Sequence, residues 1–119
     1  MKIGQWNTTR QPVCLITGRT GEGKTQLCAH MAQEALQAGA TVILADTAKG
    51  VDLAGEQRRR LEQAGATLIG MGEYDRLVET LDDVQQEMKR RMELLCDHDA
   101  LPETVPPLIL MIDDFTELL

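Results

Sequence analysis

Apolar residues recur along this chain at two spacings, and the switching between them predicts a succession of strands and helices. A nearly continuous apolar run over residues 12–17 reads as a strand buried on both faces of a parallel sheet. Leu27, Cys28, Met31, Ala32, Ala35 and Leu36 then return at helical spacing, predicting a helix over residues 24–37 that Gly39 stops. Residues 41–46 form a second apolar run and predict a second buried strand, bringing Asp46 out at the sheet edge. An amphipathic stretch over about residues 54–64 predicts a helix, and residues 66–69 a third strand, after which Gly70-Met71-Gly72 breaks the pattern. Leu77, Leu81, Val84, Met88, Met92 and Leu95 step by three or four, which predicts the longest helix, about residues 73–96, with this stripe packed into the core. A loop ending in Pro106-Pro107 leads to a last, fully apolar strand over residues 108–112. Ahead of all this, residues 1–11 lack a pattern apart from Ile3 and Trp6, and read as a lead-in or short edge strand anchored by the Trp6 ring.

Between the first strand and the first helix stands Gly18-Arg19-Thr20-Gly21-Glu22-Gly23-Lys24-Thr25, an intact G-x-x-x-x-G-K-T. A loop that wraps a phosphate turns its backbone N–H groups inward, which needs positive φ and therefore glycine, here Gly18, Gly21 and Gly23. Lys24 supplies a point charge for the β- and γ-phosphates, Thr25 offers a hydroxyl to Mg²⁺, and the helix that begins here adds its unpaired N–H groups and positive dipole end. The nucleotide contacts predicted from this segment are Gly18, Thr20, Gly21, Glu22, Gly23, Lys24, Thr25 and Gln26.

The last strand carries the second half of the site. It delivers Asp113-Asp114 at its C-terminal end, the edge where the phosphate loop lies. There a carboxylate holds the Mg²⁺ water shell and a second one orients the attacking water, so Asp113 is assigned to the metal and Asp114 to the water.

Composition narrows the reading. The 119 residues suffice for one domain and are short for a nucleotide-hydrolysing module that also recognises a substrate. With 43% hydrophobic but only 3% aromatic residues, the core is aliphatic, with six methionines as filler. A net charge of −7 gives no bulk basic field for nucleic acid or an anionic membrane, and leaves room only for DNA contacts made by a few local groups. Three cysteines without C-x-x-C spacing, Cys14, Cys28 and Cys96, fit reduced thiols in a cytoplasmic protein. No stretch approaches the ~18 apolar residues of a membrane span. Arg58-Arg59-Arg60 reads as a solvated helix face, His30 as a solvated or satisfied side chain, and Asp97-His98-Asp99 as an exposed loop without the further ligand a metal needs.

Four stretches, in order, resemble one family. Residues 110–119, Leu-Met-Ile-Asp-Asp-Phe-Thr-Glu-Leu-Leu, look like the acidic motif of the FtsK/SpoIIIE family of double-stranded DNA translocases. Residues 12–25 resemble its phosphate loop, residues 46–53 its Asp-Pro-Lys-Gly turn, and residues 84–95 its Val-x-x-Glu-Met-x-x-Arg helix. The sequence departs from the family pattern at Asp114, where the family has Glu, and at Thr47-Ala48, which replace the Pro before Lys49.

The resemblance implies a P-loop NTPase of the RecA-like class, a three-layer α/β/α domain with a mainly parallel sheet, truncated here after the acidic (Walker B) strand, so that residues 1–119 form the N-terminal half of a motor domain. It implies ATP and Mg²⁺ as cofactors, with Lys24, Asp113 and Asp114 catalytic, and Thr25 and Asp113 on the metal. The implied partners are duplex DNA, engaged through an assembled homo-oligomeric ring, hexameric by resemblance. Secretion ATPases of the same family, acting on proteins, are the related alternative. A nucleotide-binding module with little turnover is the alternative from another class, because no in-trans arginine is recognisable and the second acid is shortened.

Overall fold

Strand-type and helix-type patterning become strands and helices in turn in the computed structural model, which describes residues 1–10, 23–46, 55–70, 72–98 and 105–113. The elements are β1 (Lys2–Ile3), β2 (Trp6–Asn7), α1 (Lys24–Gln37), β3 (Thr41–Asp46), α2 (Glu56–Gln63), β4 (Thr67–Ile69), α3 (Tyr74–His98) and β5 (Leu108–Asp113). Helices α1 and α3 and strands β3 to β5 match the expected positions closely, and α2 is slightly shorter than its amphipathic stretch. The expected strand over residues 12–17 lies outside the described residues.

Strands β4, β3 and β5 form a parallel sheet in that order. From the central β3 the chain passes through α2 to β4 on one side, then through α3 to β5 on the other. A parallel crossover is right-handed, so two crossovers leading in opposite directions along the sheet put their helices on opposite faces.

The side chains follow. Alternation along β3 sends Val42 and Leu44 to one face, where they join Ala29, Ala32 and Ala35 of α1, Leu61 of α2, Leu68 and Ile109. Ile43 and Ala45 go to the other, where they join Ile69 and Leu77 of α3, with Val84, Leu108, Leu110 and Ile112 packed alongside. The alanines of α1 let that helix approach the sheet closely, while Leu77 is the buried foot of α3.

Two expectations change. The lead-in is an antiparallel hairpin, with Lys2 opposite Asn7 and Ile3 opposite Trp6. Trp6 packs against the α1-side core, so it anchors the terminus as expected, and the fully buried Ile3 on the paired strand joins it.

The second change concerns α3. Leu77 is buried and Val84 half-buried, but Leu81, Met88, Met92 and Leu95 are exposed, so the predicted stripe is core packing only in part. The residues half-buried towards the C-terminal end of α3 are Glu87, Arg91 and Leu94, a line displaced from the apolar stripe. Glu87 accepts hydrogen bonds from Arg90 and Arg91, as i+3 and i+4 spacing allows, and Arg91 also donates to the carbonyl of Pro106 at 2.8 Å, which fixes the entry to β5.

Candidate functional site

Three residues reverse the chain between α1 and β3. The Ala38 N–H donates to the Glu34 carbonyl at 3.1 Å and the Ala40 N–H to the Ala35 carbonyl at 3.0 Å, around Gly39 at φ 91°. So tight a turn makes α1 run back along the strand it precedes. Its 14 residues span about 21 Å and the six of β3 about 20 Å, so the first turn of α1 stands level with the C-terminal end of β3.

That end is acidic on two adjacent strands. Asp46 closes β3, Asp113 closes β5, and the two are register partners. Strand alternation assigns positions 46 and 113 to the α1 side of the sheet, in step with Val42, Leu44 and Ile109.

The start of α1 has the form an anion site requires. Gly23 caps it at φ 84° and ψ 20°, a left-handed conformation strained for any residue with a side chain. The first helical hydrogen bond runs from the Leu27 N–H to the Gly23 carbonyl at 2.9 Å, so the N–H groups of Lys24, Thr25 and Gln26 precede the ladder and have no acceptor within the helix. These donors and the positive helix end stand at the edge that carries Asp46 and Asp113.

The neighbouring connections reinforce this edge. Gln26 accepts a hydrogen bond from Gln57 at 3.3 Å, joining the first turns of α1 and α2, both side chains at the surface or close to it. At the end of β4, the Glu73 carboxylate accepts from the Gly70 N–H and from Arg76, both at 3.0 Å, while Arg76 also donates to the Leu68 carbonyl. Arg76 and the Gly70 N–H together hold the Glu73 carboxyl below its ordinary value.

Of the predicted site residues, Lys24, Thr25 and Gln26 occupy the first turn of α1, Gly23 its cap, and Asp113 the end of β5. Gly18, Thr20, Gly21, Glu22 and Asp114 lie outside the described residues, as does Lys49. Two contributors were not foreseen: Gln57, which carries no motif, and the pairing of Asp46 with Asp113. The latter had a legible signal, since two predominantly apolar six-residue strands each end in Asp. Arg58 and Arg60 pair with Glu62 and Glu56 on their own helix and Arg59 is exposed, as a solvated face requires. His30 is exposed, and among the described residues no group of three or more His, Cys, Asp or Glu could hold a metal ion.

Comparison of the chain with protein-family models, with curated proteins and with solved structures finds no match.

Proposed function

We propose that this chain is the ATP-binding and hydrolysing segment of a double-stranded DNA translocase of the FtsK/SpoIIIE type, with a P-loop NTPase, RecA-like fold. The observation that carries the reading is that Gly23-Lys24-Thr25, the end of an intact G-x-x-x-x-G-K-T in the sequence, opens α1 near the sheet edge where the strands ending in Asp46 and Asp113 pair.

The residues present fit a magnesium nucleotide. A left-handed glycine cap and three helix-start N–H groups suit an anion, and adjacent carboxylate positions suit the cation that accompanies it. Lys24 would hold the outer phosphates, with the Thr25 hydroxyl and the Asp113 carboxylate on the metal. Asp114 would accept a proton from the attacking water and orient it. The bound nucleotide supplies the phosphoryl group whose transfer to water drives movement. Because the net charge is −7, contact with DNA is assigned to a few loop groups in an assembled ring, and the isolated chain should bind duplex weakly at physiological salt.

Calorimetric titration with ATP and magnesium tests the reading. Lys24→Ala should abolish binding, and unchanged affinity overturns the assignment. In the assembled motor, turnover that rises with duplex DNA supports the translocase over the protein-secreting relatives, and turnover indifferent to DNA counts against it.

A further inference from the structure

The exposed side of α3 repeats every seven residues. Tyr74, Val78, Leu81, Gln85, Met88, Met92 and Leu95 follow one another at alternating spacings of four and three, the a/d seam of a coiled coil. All seven are exposed: Val78 is 65% accessible, Met88 55% and Met92 58%, although each is apolar. The sheet takes α3 through Leu77 and Val84, which lie to one side of this seam, so the apolar band on the helix is wider than the sheet covers.

We propose that this seam is the contact surface for a second copy of the chain, with two α3 helices packed antiparallel. Taking Val78, Gln85 and Met92 as a positions and Leu81, Met88 and Leu95 as d positions, an antiparallel pair sets each a residue against a d residue of the other helix. Gln85 then faces Met88 of the partner subunit, Leu81 faces the partner's Met92, and Val78 faces the partner's Leu95. Every exposed apolar position from Val78 to Leu95 is covered.

Charge at the seam's margin selects this arrangement. Asp82 and Lys89 are the flanking e positions, both exposed, and in this register Asp82 lies beside the partner's Lys89, twice by symmetry. A slip of one heptad exchanges Tyr74 for Leu95 at the end of the seam and brings Asp75 beside the partner's Lys89, but it sets Asp82 against the partner's Asp82 at the two-fold axis; a slip in the other direction sets Lys89 against the partner's Lys89. A parallel pair matches Leu77 with the partner's Asp82, Val84 with the partner's Lys89 and Arg91 with the partner's Cys96, with no ion pair. The contact is two-fold and self-complementary, distinct from the head-to-tail contacts of a ring, and it lies away from the phosphate edge. It does not rest on the nucleotide reading.

Sedimentation equilibrium of the full chain without nucleotide tests the pairing. The wild type should be a dimer, and Asp82→Lys and Lys89→Asp should each weaken association by roughly tenfold or more, since each puts two like-charge pairs across the seam. The double exchange, Asp82→Lys with Lys89→Asp, should restore it. Met88→Glu should give a monomer whose circular dichroism is unchanged, because the side chain is outside the core. Lys24→Ala should leave association as it is, which separates this test from that of the nucleotide site. A wild type that stays monomeric at high micromolar concentration, a dimer indifferent to these changes, or single reversals that the double exchange fails to rescue would overturn the proposal.

Discussion

Asp46 and Asp113 are register partners at the ends of adjacent parallel strands. Neighbouring strands lie about 4.8 Å apart, and like charges set directly opposite destabilise a sheet by about 0.2–1 kcal/mol. An edge that carries such a pair is suited to a cation. Without ligand, Asp46→Asn should raise the unfolding free energy by about 0.5 kcal/mol in urea titration, and Asp113→Asn by a similar amount. With magnesium and ATP the order should invert for Asp113→Asn, which loses the ligand's stabilisation. A pair of variants with no stability gain in the absence of ligand would mean that the two carboxylates do not interact.

On the proposed function, Gly23 is a binding-site glycine and Gly39 a structural one. Both hold positive φ, 84° and 91°, and an added Cβ would meet nothing within 4 Å at either position, so the cost of alanine is conformational. Each Gly→Ala change should cost about 1–2 kcal/mol. Only Gly23→Ala should also weaken nucleotide binding, because it disturbs the donors that open α1. Calorimetry on both variants checks this, and an equal fall in affinity for Gly39→Ala would show that the effect travels through stability alone.

Most of the architecture was legible because each element announces itself by its own period. Residues 24–37 and 41–46 repeat cleanly, and both were read to the residue. What escaped were relations between elements. Nothing local in residues 108–112 says that this strand pairs with β3, although once Leu108 stands opposite Thr41 the equal strand lengths bring Asp113 beside Asp46. In α3, the apolar spacing identified a helix but not which apolar residues the sheet would take. Leu77 and Val84 packed and Met88 and Met92 did not, because the three strands among the described residues cover only part of a 25-residue helix. At the N-terminus, Ile3 and Trp6 carried the anchoring, but a two-residue strand is too short to show alternation.

Acid should loosen the junction between α3 and β5. Hydrogen bonds from Arg90 and then Arg91 hold the Glu87 carboxyl down from 4.5 to about 2. A depressed carboxyl stabilises the folded chain above its unfolded-state value, and that contribution is lost as pH falls from about 4.5 towards 2. Protonation frees Arg91, whose other hydrogen bond fixes Pro106 ahead of β5. Thermal melting across this window should show stability falling with pH, and Glu87→Gln should flatten the curve there while Glu73, also depressed, keeps a residual slope. An unchanged slope in Glu87→Gln would place the acid sensitivity elsewhere.

The two hydrophobic clusters should differ in what they protect. Leu61 is 2% exposed on the α1 side and Leu77 4% exposed on the α3 side. Truncating either to alanine should cost about 2–5 kcal/mol, a large share of the roughly 5–15 kcal/mol that holds a domain together. The consequences for the site diverge. Leu61 lies in the cluster that seats α1 and α2, whose first turns meet through Gln26 and Gln57, so Leu61→Ala should loosen the phosphate edge as well as the fold. Leu77 belongs to the opposite face, and Leu77→Ala should leave the nucleotide affinity of the folded fraction close to wild type. Urea titration and calorimetry on both variants read the two effects separately. Equal losses of affinity would mean that β3, shared by both clusters, transmits packing defects from either face to the site.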